Sequence, residues 1–166
     1  MRTVGKLVVY GASGVCRIED IREESFSGSP RCYYILRPLT EQGNSRIFIP
    51  ADNEKLVGEM RTLLQPEEIY KTVEQTEPFS LSTEWPQDGR MRSKLCRDIL
   101  ASGDREQLIR VVKTVFGARK SPSAAEESAA HRAAIMLYYE FSLSLQLEKA
   151  DVIPFVLGKA KPAPKE

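Results

Sequence analysis

The apolar residues of this chain keep two different periods, and the change between them constrains the fold more than any other feature. Beyond Pro66 they recur in helical steps. Leu108, Val111, Val112, Val115 and Phe116 stand at i, i+3, i+4, i+7 and i+8, a stripe along one side of an α-helix. Before Leu63 they come in short runs cut by Gly, Pro and Ser. Lys6–Tyr10, Val15–Arg22, Arg31–Leu36 and Ser45–Ile49 read as four strands, since β-branched and aromatic residues fit a pleated surface. EESFSGSP and EQGN supply turns between them. Four short, closely spaced strands predict a small barrel of Tudor or SH3 type. The fold class is therefore α+β in two modules, a small Tudor/SH3-like β-barrel followed by a compact all-α domain.

The stretch VVYGASGVCRIEDI tests whether the first module is a binding barrel or the start of a nucleotide site. Gly11 and Gly14 bracket two small residues after an apolar strand. A phosphate loop needs a Lys with Ser or Thr after it, and a helix whose N-terminus faces the anion. Here a strand follows instead. The stretch is read as the turn of a β-hairpin.

In the second module, Pro66–Thr76 has Pro at its start, acids in its first turn, and Ile69 and Val73 four apart. Residues 77–89 form an irregular connector with two prolines. Arg90–Ala101 is helical and ends at Ser102-Gly103. Asp104 with Gln107 resembles a capping box for the next helix. Ser121-Pro122-Ser123 with Glu126 opens a long helix from Ala124 to about Glu148, and a short one is expected over Asp151–Leu157. The tail KAKPAPKE lacks large apolar residues, which predicts disorder. The domains are drawn at 1–62 and 63–160, with residues 161–166 as a disordered tail.

Composition narrows the function. The chain has 166 residues and a net charge of +1. No apolar run approaches the ~20 residues of a membrane span, and a cytoplasmic location is expected. Cys16, Cys32 and Cys96 form no CxxC pair, so zinc is not expected; Cys16 and Cys32 read as reduced core residues, with a disulfide between them left open. No metal or cofactor is expected. The one histidine, His131, lies in a helical pattern without a nucleophile motif, and the paired acids lie in turns or at helix starts. A small hydrolase using His131 is the weakest of the readings, and the chain is expected not to be an enzyme.

The net charge conceals a basic block. Residues 88–120 carry nine basic side chains against four acidic ones, enough to attract a polyanion. Arg90, Lys94 and Arg97 share one helix face, Arg92 lies beside them, and Lys113, Arg119 and Lys120 extend the block. Trp85, the only Trp, precedes it. Trp85 reads either as a core plug or as an apolar wedge for a base step beside phosphate-gripping residues. The strand SRIFI is a second candidate, because an edge strand can recruit a partner strand.

These residues together carry a resemblance. VGKLVVYGASGVCRIEDI, YYIL and IFIPADNEKLVGEMR resemble the N-terminal domain of the CarD/CdnL family of bacterial transcription regulators, shared with the polymerase-interacting domain of transcription-repair coupling factor. EWPQDGRMRSKL, ILASGDREQLIRVV and LYYEFSLSL resemble that family's helical domain. The resemblance implies strand addition to the RNA polymerase β subunit through Arg46, Ile47, Phe48, Ile49 and Pro50, with Glu24 beside them. It also implies non-sequence-specific, minor-groove contact with double-stranded promoter DNA near the upstream edge of the bubble. There Trp85 would be the wedge and Arg90, Arg92, Lys94, Arg97, Lys113, Arg119 and Lys120 the DNA-binding cations, modulating open-complex stability. Trp85 stands further from the SGD junction than in some members, and GASG replaces the family's common Pro- and His-containing turn. A nucleoid-associated monomer is implied, while the Pro-rich connectors permit a domain-swapped dimer. The alternative is a protein–protein interaction module without direct DNA contact.

Overall fold

A computed structural model describes residues 2–39 and 44–166. The chain divides into two compact units, Met1–Leu63 and Leu64–Glu166. The turn read at residues 41–44 falls, for Glu41 to Gly43, outside the described residues.

Unit 1 is an antiparallel sheet of β1 (Leu7–Tyr10), β2 (Val15–Glu24), β3 (Arg31–Pro38), β4 (Ile47–Pro50) and β5 (Met60–Arg61). Its order is β4-β3-β2-β1-β5. The sheet is open among the described residues, with β4 and β5 as its edges, where the sequence predicted a closed barrel. The missing partner for β4 is the physical reason: β5 has only two residues and pairs with β1 alone. The β1–β2 hairpin forms as expected. Gly11 and Gly14 adopt φ of 49° and 65°, a left-handed backbone that a side chain resists. A one-turn 3-10 helix, Gly11–Ser13, spans the bend.

The imperfect alternation of β2 has a local cause. Ile18 pairs with Leu36, yet Asp20 pairs with Ile35, so the register shifts there. A bulge of one residue flips the pleat. Cys16 and Ile18 are buried on one side of it, and Ile21 rejoins the same cluster beyond it. The core of this unit gathers Val8, Cys16, Ile18, Leu36, Ile49 and Met60. Cys32, expected in the core, is exposed near the end of the β2–β3 ladder opposite Glu23. The three cysteines are all free. A short helix, α1 (Glu54–Gly58), is capped by Asn53, whose Oδ1 accepts from Leu56 N at 3.2 Å; sequence periodicity did not reveal it.

Unit 2 is helical: α2 (Pro66–Gln75), α3 (Gly89–Ser102), α4 (Arg105–Lys113), α5 (Ala124–Phe141) and α6 (Val152–Val156). Asp104 caps α4 through Gln107 N at 3.0 Å, one half of the predicted capping box, and Ser123 with Glu126 forms a complete one. Asp88, not singled out in the sequence, caps α3. Gly103 ends α3 with φ of 63°, the left-handed C-terminal conformation that glycine permits. The α4 stripe buries Leu108, Val111 and Val112, then continues as one π-helical turn, Thr114–Ala118.

Two expectations are corrected here. α5 stops at Phe141, short of Glu148. The turn that follows folds Leu145 fully into the core, so apolar spacing persists after the helix has ended. The tail is not free chain. Gln146 N donates to Ala163 O at 2.8 Å, Lys165 N to Ser144 O at 2.9 Å, and Tyr70 Oη to Pro162 O at 2.5 Å. Backbone pairing and a tyrosine fix a segment that has few apolar residues of its own.

Candidate functional site

The edge strand β4 follows from its neighbours. Ile49 alternates inward, 1% exposed, and Pro50 ends the ladder opposite Tyr33. Ile47 and Pro50 are half-buried, while Phe48 is 36% exposed on the opposite side of the sheet. Phe48 is not alone there. Phe26, from the β2–β3 turn, lies 5.0 Å from it and 5.3 Å from Tyr33, both edge-to-face. Edge-to-face pairs of this spacing are attractive. Phe26 is 62% exposed, so Phe26 and Phe48 form an outward aromatic patch over the buried Tyr33, beside an edge strand. Sequence reasoning missed Phe26, because it sits in a turn and its partners come from β3 and β4.

Arg46 and Glu24 are committed to near neighbours. Arg46 Nη2 donates to Glu19 Oε1 at 2.9 Å, and its Nε also meets Glu19. Glu24 accepts from Arg22 Nε at 2.7 Å. Such exposed pairs contribute little to stability, and either partner is released cheaply to another molecule.

Residues 3–64 match the family model described as CarD-like/TRCF RID domain. Unit 1 is a CarD-like/TRCF RID domain. Within it, Phe26 and Phe48 lie exposed at the β4 edge. The match ends at residue 64, ahead of the helical unit. No curated protein matches the chain.

In unit 2 the basic block separates into two groups. The first is bound internally. Glu126 is buried at the start of α5, 4% exposed. Its carboxylate accepts from Ser123 N at 2.6 Å, Trp85 Nε1 at 3.3 Å and Arg119 Nη2 at 3.2 Å. Arg92 Nε stands 2.8 Å from Oε1. That approach is a charge contact rather than a hydrogen bond, since Nε lacks an aligned acceptor; Arg92 Nη1 donates instead to Pro86 O and Gln87 O. Burial alone would raise the Glu126 pKa. The Ser123 N–H, Arg119 and the Trp85 N–H outweigh burial and hold it below its usual 4.5. Lys113 donates to Val73 O and, at 2.5 Å, to Thr76 O. It closes the C-terminal end of α2, and burial pushes its ammonium below its usual value against the opposing pull of Glu77.

Trp85 belongs to this internal group. It is 3% exposed and packs 5.7 Å from Phe79. Phe79 is itself held by a 2.8 Å bond from its backbone N to Thr114 Oγ1 and by Arg110 stacked 4.0 Å over its ring. The irregular connector is thus pinned to α4 and α5. Of the two sequence readings of Trp85, this conformation has the core plug. Arg92, Lys113 and Arg119, expected as surface cations, hold the domain together instead. Sequence spacing placed them in the basic block but could not see that packing would bring Arg92 and Arg119 onto the buried Glu126, or Lys113 onto the end of α2.

The second group is presented to solvent. Arg90, Lys94, Arg97 and Lys120 are exposed. Lys94 pairs with Asp98 at 2.8 Å, both side chains more than half exposed. Arg90, Arg97 and Lys120 make no ion pair among the described residues. Met91, which apolar spacing groups with Leu95, Ile99 and Leu100 on one helix face, is 54% exposed at the start of α3. His131 is exposed with its ring 4.9 Å from Phe116. No group of three or more His, Cys, Asp or Glu able to hold a metal occurs among the described residues, and no helix is long and apolar enough to cross a membrane.

Proposed function

We propose that the protein is a cytoplasmic transcription regulator that docks on the RNA polymerase β subunit through unit 1 and holds promoter DNA with unit 2. The observation that carries this reading is the β4 edge, inside a RID domain, with Phe48, Phe26 and Tyr33 beside it. An added strand takes its affinity from backbone bonds along β4 and its specificity from side-chain pockets. An exposed aromatic cluster supplies the apolar anchor that interface energetics require. Arg46 is placed to exchange Glu19 for an acidic group of the partner strand.

On unit 2, Arg90, Lys94, Arg97 and Lys120 supply phosphate contacts, which position without reading sequence. A wedge at Trp85 requires the indole to leave Phe79 and give up its bond to Glu126. Met91 offers an apolar tip on the same helix without that cost, and Met is among the side chains inserted at kinked steps. In this reading Trp85 supports α3 from behind. DNA binding would then favour a distorted duplex and shift open-complex lifetime.

The test uses the full chain against immobilised polymerase β subunit. Phe26→Ala/Phe48→Ala is expected to weaken binding at least tenfold while the thermal midpoint holds. Unchanged affinity would sink the docking reading. For DNA, affinity for a promoter duplex should fall steeply between low and moderate salt; a flat salt response would favour the module without DNA contact.

A further inference from the structure

A cleft of about 230 Å³ lies between α3 and α5, and its chemistry is specific. Ser93 and Arg97 line it from α3; Ser128 and Arg132 line it from α5. Each pair is four residues apart, so it shares one helix face. The result is a Ser and an Arg from each wall. Arg97, Ser128 and Arg132 are exposed and Ser93 is half-buried. Neither arginine makes an ion pair among the described residues. The carboxylate at the cleft, Glu126, is already answered by Arg119, Arg92 and Ser123 N. It therefore neutralises neither Arg97 nor Arg132, and the cleft keeps a positive excess.

We propose that this cleft is a phosphate-binding site. Guanidinium groups grip phosphate oxygens in a bidentate fork, and serine hydroxyls donate to the remaining oxygens. The phosphate belongs either to the backbone of a DNA duplex or to a free ion, and both present the same tetrahedral anion. The duplex source rests on the DNA reading above; the site itself does not. Residues 121–166 are near neutral in sequence, which is why Arg132 drew no notice until α5 packed beside α3.

Inorganic phosphate titrated into the full chain, followed by amide NMR, is expected to give saturable shifts centred on residues 93–97 and 128–132. Arg97→Gln and Arg132→Gln should each weaken phosphate at least fivefold with an unchanged thermal midpoint, while Lys55→Gln, a charge loss in unit 1, should not. Arg97→Lys should restore only part of the affinity, since it returns the charge without the fork. Non-saturable shifts, or shifts indifferent to both arginines, overturn the site. A promoter duplex that displaces phosphate identifies the backbone as the source; a duplex that binds beside bound phosphate identifies the free ion. Duplex binding lost in Arg90→Gln yet intact in Arg97→Gln/Arg132→Gln rejects the cleft as a duplex contact and leaves the DNA reading standing. Phosphate binding with no duplex binding at all does the reverse.

Discussion

The two units treat their aromatic residues in opposite ways. Unit 1 displays Phe26 and Phe48 at the rim of an open sheet. Unit 2 turns Phe79 and its single Trp inward from the connector and displays arginines instead. The same ring chemistry stabilises the fold in one and is left for a partner in the other. What separates them is position. Phe79 and Trp85 pack into the helical core, where the indole N–H also finds a buried carboxylate; Phe48 lies on the edge strand β4.

This contrast can be broken experimentally. Trp85→Ala should destabilise unit 2 by about 4 kcal/mol, the range for a fully buried aromatic, read as an early helical transition in urea. A transition that stays in place would mean that Trp85 is not a core residue. Glu126→Ala should follow at about 3 kcal/mol, because two guanidinium groups lose their counter-charge and an indole N–H its acceptor; calorimetry checks it. Phe48→Ala should change stability by under about 1 kcal/mol while reducing polymerase affinity about tenfold, the reverse of Trp85. Lys94→Ala should cost only about 0.3 kcal/mol, as for an exposed helical pair.

Acid probes the buried carboxylate of unit 2. Glu126 is depressed below 4.5 in the folded state. Its contribution is therefore fully present above the unfolded value and is lost as pH falls through the folded one. Helical circular dichroism followed from pH 5 downward should show unit 2 loosening below about pH 4.5. In Glu126→Gln this acid-dependent component should shrink. An identical acid profile in that variant would remove Glu126 from the account.

Much of the site was legible in the strands and caps. Asp104 and Ser123 announced two helices because a cap acts within three residues of itself. The GASG turn was recognised as a hairpin for the same local reason. Ser45–Ile49 was readable as a strand, observed as Ile47–Pro50, but its edge position was not, since pairing depends on where β5 lands. Arg92, Arg119 and Lys113 look like Arg90 and Arg97 in sequence. Only packing distinguishes them: Lys113 reaches the carbonyls of residues 73 and 76, Arg119 and Arg92 meet the buried Glu126, and Arg92 also donates to the carbonyls of residues 86 and 87.

By itself the sequence determined the change from pleated to helical periodicity near residue 63, the caps, the glycine turns and the basic block. Each of these follows from interactions spanning a few residues. Tertiary structure alone decided that the sheet stays open, that Cys32 is outside, that the tail is tied down, and that Trp85 is enclosed rather than displayed. Those outcomes depend on which distant groups meet, and a buried polar atom accepts only a site where its hydrogen bond is made.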